Sequence, residues 1–161
     1  MKSAIVSLAL LAAAPAAFAA DIQVRYSDEF QEKLTEDYGP REGEKLIEDI
    51  RKDLERELAK ANIDPARIDV VIEDAQPNRP TMQQMSDKPG LDMLRSKSLG
   101  GMDLSGTAYD AAGTPVGTLQ YDWYETNLEN VIAAGVWSDA GRASRRFAQK
   151  FAAELSSDKQ D

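Results

Sequence analysis

The stretch at residues 42–61 does most to limit what this chain can become. Leu46, Ile47, Ile50, Leu54 and Leu58 recur there at helical spacing. At 100° per residue they fall within about 120°, one stripe of an α-helix. The remaining surface is charged, with Lys45 and Asp49, Glu48 and Lys52, and Arg51 and Glu55 each four residues apart. Such pairs steady an exposed helical face. The stripe itself must be buried, and it is too short for the sustained heptads of a coiled coil. Its apolar partner therefore has to come from the rest of the chain.

Strand patterns supply that partner. "DIQVRY" at 21–26 alternates apolar and polar residues. Residues 67–75 place Ile68, Val70 and Ile72 on one face, and Pro77 and Pro80 end the run. "GGMDLSGTAYDAAGTPVGTLQYDWYETN" reads as a hairpin. Met102, Leu104 and Ala108 share a parity with Gly106, and Leu119, Tyr121 and Trp123 share the apolar face of the returning strand. Asp110, Gly113 and Pro115 supply the turn between them. Gly106, opposite large aromatic residues, marks a bulge or a close approach. A short helix capped by Ser27 or Asp28 carries Phe30, Leu34 and Tyr38, and Gly39-Pro40 stops it. "LENVIAAGVW" at 128–137 reads as a further strand or a buried connection.

The last helix, capped at Ser138 or Asp139, runs to Leu155. Ala140, Ala143, Phe147, Phe151 and Leu155 line one side of it, and Arg142, Arg145, Arg146, Gln149 and Lys150 the opposite side. The order strand, helix, strand, hairpin, helix predicts an α+β fold. Its core is a single small, mostly antiparallel sheet of three to five strands, covered on one face by two amphipathic helices at 42–61 and 139–155.

The ends carry a different message. Met1-Lys2, the apolar run at 4–13 and Ala17-Phe18-Ala19 have the form of an export signal, with cleavage after Ala19 or Ala20. The expected organisation is a signal peptide at 1–19, one domain at 20–155 and a polar tail at 156–161. The expected location is the periplasm, with release to the medium as the alternative, and with no membrane span left after processing. No cysteine follows the leader, which excludes lipid anchoring there.

Composition removes whole classes of chemistry. The chain has no cysteine and no histidine. That excludes thiolate nucleophiles, the Ser-His-Asp triad and the usual zinc ligand sets. A net charge of −9 disfavours nucleic acid as a partner. No phosphate-binding glycine loop is present, and "SLGGMDLSG" lacks the required spacing. Ser156 and Lys159 have nucleophile spacing but lie in the tail. Asp103, Asp110, Asp122 and Glu125 cluster near the hairpin without a calcium-loop pattern. No metal or other cofactor is expected.

Two features remain as binding candidates. One is the basic face of Arg142, Arg145, Arg146 and Lys150, read as turned to water and suited to an anionic lipid, a lipopolysaccharide phosphate or an acidic envelope protein. The other is the aperiodic segment 76–100, whose Met82, Met85 and Met93 suit adaptable packing on a partner. The resulting expectation is a non-catalytic periplasmic envelope accessory protein that binds a partner or ligand. A carboxylate-dependent hydrolase and a structural or assembly protein of the envelope are the alternatives.

The runs "GGMDLSGTAYDAAGTPVG" and "VWSDAGRASRRFAQKFAAEL" resemble the C-terminal half of small exported proteins of unknown function from Gram-negative bacteria. The resemblance implies an α/β envelope domain and assigns no site residue.

Overall fold

The structure is a computed structural model and describes residues 20–131 and 135–157. The expected signal at 1–19, residues 132–134 of the apolar stretch and residues 158–161 of the expected tail lie outside the described residues.

Strand β1 (Asp21–Tyr26) buries Ile22 and Val24 and pairs in parallel with β2 (Arg67–Gln76), with Ile22 opposite Ile68 and Val24 opposite Val70. Parallel neighbours need a long crossover, which residues 27–66 provide. Helix α1 (Asp28–Lys33) begins at Ser27, whose hydroxyl accepts the Phe30 N–H at 3.1 Å. A π-helical turn (Leu34–Tyr38) follows. Gly39 then adopts a φ of +102°, a conformation that side chains oppose. This lets the chain turn into α2 (Pro40–Ala61), with Pro40 in the first turn where its missing N–H costs nothing. The glycine-proline pair therefore ends one helix and starts the next, two residues before the expected boundary. Asn62, in the left-handed region, closes α2.

Strand β3 (Gly101–Tyr109) pairs antiparallel with β2, and β4 (Pro115–Tyr124) pairs antiparallel with β3. The sheet order is β1-β2-β3-β4, so β4 is an edge. One extra residue between Ile72 and Asp74 bulges β2. Helix α4 (Ser138–Ser157) packs on β3 and β4 and against α2, which also meets β1. Both amphipathic stripes thus bury against each other and one sheet face, as the periodicity predicts. The other face presents Asp69, Glu73, Asp103, Ser105 and Asp122 to solvent or to partial cover.

Core packing explains several residue choices. Leu46, Ile50, Leu54 and Leu58 of α2 are buried with Ile68, Val70, Ile72 and Leu104 of the sheet. Phe147 and Phe151 stack with ring centroids 5.5 Å apart. A Cβ at position 106 would lie 2.7 Å from Phe147 Cζ, so Gly106 is a close approach of strand to ring and not a bulge. Between the helices the buried Ser144 hydroxyl donates to Asp53 at 2.7 Å.

Three local readings change. Segment 128–137 forms no strand among the described residues: Leu128–Asn130 is a 3₁₀ turn, capped by the Asn127 side chain. Val131 and Trp137 are nevertheless buried, as a connection under cover would be. Segment 76–100 contains a short helix, α3 (Met82–Asp87), and α4 extends to Ser157, into the expected tail. Among the described residues no helix is long and apolar enough to cross a membrane.

Candidate functional site

Residues 77–99 make a shaped surface at one end of the sheet, and Asn78 holds it in place. Asn78 is fully buried. Its backbone N–H donates to the Val136 carbonyl at 2.6 Å, and its own carbonyl accepts the Ser98 N–H at 2.9 Å. Its side-chain amide donates to Asp139 at 2.5 Å and to the Ser98 carbonyl at 3.2 Å, and its oxygen accepts the Asp139 N–H at 2.7 Å. One side chain therefore joins both ends of the loop to the start of α4. Ser98 completes the bracket by donating to the Pro77 carbonyl at 2.6 Å.

Helix α3 is set by its own sequence. The Thr81 hydroxyl accepts the Gln84 N–H, and the Gln84 side chain accepts the Thr81 N–H, each at 3.2 Å. This reciprocal box is a start signal that "TMQQ" carries openly. Gln84 and Lys88 both donate to Asp37, the former at 2.7 Å, which ties α3 to the π-helical turn. Burial alone would push the Asp37 carboxyl up. The hydrogen bonds from Lys88 and Gln84 outweigh it and hold the group below the usual range. Beyond α3, Arg79 donates to the carbonyls of Met93 and Leu94 at 2.6 and 2.9 Å, and Asp92 accepts the N–H groups of Leu94 and Arg95. The loop is thus built from turns drawn in around Arg79.

These ties leave a cavity of about 400 Å³. Tyr38, Pro77, Pro80, Leu91 and Leu99 form its apolar walls. The Tyr38 ring meets Trp137 edge-on at 5.5 Å, and the Trp137 indole N–H donates to Glu42 at 2.6 Å. Burial first, then Asp74 and Asp37, raise the Tyr38 phenol above its ordinary value, so it stays neutral. Along the same segment, large apolar side chains stand in water. Met82 is 67% exposed, Leu94 83% and Met93 38%, with Leu91 and Leu99 also exposed. Of the methionines expected here, Met85 alone is half-buried.

The basic face of α4 is less free than its sequence implies. Arg142 is half-buried and bridges Asp139 at 3.1 Å and Glu125 at 3.8 Å. Its guanidinium also lies 5.1 Å from the Trp123 ring centre, and that of Arg146 lies 4.4 Å from the same ring. The Lys150 ammonium is 5.7 Å from the Tyr121 ring. Arg142, Arg146 and Lys150 therefore clamp α4 to the aromatic residues of edge strand β4. Only Arg145 and Lys150 are well exposed. The apolar stripe Ala140, Ala143, Phe147, Phe151 and Leu155 is buried as its spacing predicts, but β4 reaches round to meet the polar side.

The acidic residues near the hairpin do not converge on a metal. Among the described residues no cluster is arranged to hold one. Asp110 accepts the Ala112 and Thr114 N–H groups within its turn, and Glu125 does the same for Thr126 and Asn127. Asp103 and Asp122 face each other across β3 and β4. Burial, then Asp122, Glu73 and Asp74, raise the Asp103 carboxyl. A raised acid costs stability while ionised, and the cost disappears as pH falls through its folded value. Asp122→Asn is therefore expected to stabilise the fold by about 0.5 kcal/mol at pH 7. It should also shrink the gain in stability between pH 7 and the ordinary carboxylate range. Urea denaturation at several pH values measures both; an unchanged profile would show that the pair does not repel.

Compared with known protein families, curated proteins and solved structures, the chain matches none.

Proposed function

We propose that this is a non-catalytic accessory protein of the bacterial envelope that binds an apolar-bodied ligand at residues 77–99. The observation that carries the reading is the concentration of exposed apolar bulk. Of the six large hydrophobic residues exposed among the described residues, five (Met82, Leu91, Met93, Leu94 and Leu99) lie in this one segment, the sixth being Leu128. A patch of this kind beside a cavity marks a recognition surface. The lack of cysteine and histidine keeps catalysis the weaker reading, and the hydrolase alternative rests only on carboxylates of the sheet's open face. The export-signal pattern of residues 1–19 supports the periplasm as the site of action.

The test uses Nile red, a neutral dye that brightens in apolar surroundings. Wild-type protein is expected to enhance its emission, and a Met82→Gln, Met93→Gln, Leu94→Gln variant to lose most of that effect. The variant should melt within about 2 °C of wild type, because exposed side chains contribute little to folding. An equal enhancement by both proteins would place the binding surface elsewhere, and none by wild type would sink the reading. Protein recovered from the periplasm for this assay should begin at Ala20 or Asp21; retention of Met1 would count against export.

A further inference from the structure

The charge around the cavity runs against the charge of the chain. The whole sequence has 28 acidic and 19 basic residues. The cavity walls nevertheless hold Arg79, Lys88 and Lys97 and no carboxylate. Arg79 is engaged with the Met93 and Leu94 carbonyls, and Lys88 is paired with Asp37. Lys97 is exposed and makes no ion pair among the described residues. The cavity therefore has cationic groups at its edge and apolar walls of Tyr38, Leu91 and Leu99. Leu94 and Met93, in the same segment, are also exposed.

We propose that this site takes an anionic amphiphile, a carboxylate or phosphate head on an aliphatic chain. Lys97 receives the head and Arg79 adds positive field, while Lys88 is offset by its pairing with Asp37. The chain lies against Tyr38, Leu91 and Leu99. This rests on the binding reading above and names the ligand class of the same site. Division of labour follows from the exposure. An ammonium in contact with water gives a modest, salt-screened attraction, so the chain supplies most of the affinity and the head supplies the selectivity. Inorganic phosphate alone would find too little to hold it. The site is built from the π-helical turn, α3 and the 88–99 turns, so it does not involve the basic face of α4.

The experiment is calorimetric titration with dodecanoate and with the uncharged dodecyl maltoside, both below their micellar concentrations. Wild type is expected to prefer dodecanoate. Lys97→Gln should weaken dodecanoate binding roughly two- to fivefold, leave the maltoside unchanged and flatten the salt dependence. Lys97→Arg should keep the preference. A free acid and a membrane lipid present the same chemistry, so vesicles of phosphatidylglycerol are compared with vesicles of phosphatidylcholine. Sedimentation with phosphatidylglycerol alone, lost in Lys97→Gln, would identify a lipid head group as the source, whereas monomer binding without sedimentation would identify a free amphiphile. Equal affinity for the two detergents, or dodecanoate binding indifferent to Lys97→Gln, would overturn the anionic assignment and leave the apolar site standing. If wild type binds neither detergent, neither vesicle and no Nile red, the binding reading falls with it.

Discussion

Asn78→Ala is expected to destabilise the protein by about 3–5 kcal/mol, lowering its melting temperature by roughly 10 °C. The residue is fully buried, and alanine would abandon three groups at once. The Asp139 carboxylate and the Ser98 carbonyl would lose a donor, and the Asp139 N–H would lose its acceptor. Each buried group left unpaired costs about 1–3 kcal/mol, and the carboxylate sits at the upper end. Arg142 remains beside Asp139, which tempers the loss. Asn78→Asp separates shape from chemistry. At neutral pH it sets one buried carboxylate against another and should be as damaging as alanine. Protonating the introduced carboxyl would let its O–H replace the amide donor, so part of the stability should return as pH falls. Thermal melts of both variants between pH 4 and 7 decide the matter. A melting temperature for Asn78→Ala within 2 °C of wild type would mean that this clasp does not hold the loop. Loss of the clasp should also abolish ligand binding before global unfolding, since the cavity walls hang from it.

Phe147→Ala is expected to cost about 3–5 kcal/mol, the range for emptying a buried aromatic position. The ring is fully buried, stacked on Phe151, and seated over Gly106. The same contact makes the reverse substitution harmful. Gly106→Ala would drive a methyl group to 2.7 Å from Phe147 Cζ, and overpacking of this kind costs about 1–3 kcal/mol. The two sites share one volume, so their effects should not add. Gly106→Ala combined with Phe147→Leu is expected to be more stable than the sum of the single losses by at least 0.5 kcal/mol or so. Urea denaturation of the four proteins closes this cycle. Strict additivity would show that α4 has slack over β3 and that the glycine serves some other purpose.

Much of the fold was legible along the chain, and the reasons differ by element. The stripe Leu46, Ile50, Leu54, Leu58 and the strand face Ile68, Val70, Ile72 announce themselves because periodicity repeats within a few residues. Gly39-Pro40 signalled a stop, but not that Pro40 would open the next helix, which depends on Gly39 taking a positive φ. Helix α3 was missed although Thr81 and Gln84 carry a capping box, because the segment has no apolar period to draw attention to it. Composition marks Met82, Met85 and Met93 as surface candidates, and Met82 and Met93 are exposed while Met85 is half-buried. It does not mark Lys97, Leu94 and Tyr38, since nothing local connects Tyr38 to residues some 60 positions away.

The sequence by itself determined the main helices and strands, which side of each is apolar, and which chemistries the chain lacks. All of these follow from residue type and near-neighbour spacing. Only the tertiary structure decided that Asn78 meets Asp139, 61 residues further on. It alone brought Arg142 and Arg146 onto Trp123, and it gathered Arg79, Lys88 and Lys97 around one cavity in an acidic chain. A hydrogen bond or a charge acts through a few ångströms of space, and chain separation does not set that distance. Which polar groups come that close depends on how the hydrophobic layers stack, and a pattern read along the chain holds only one layer at a time.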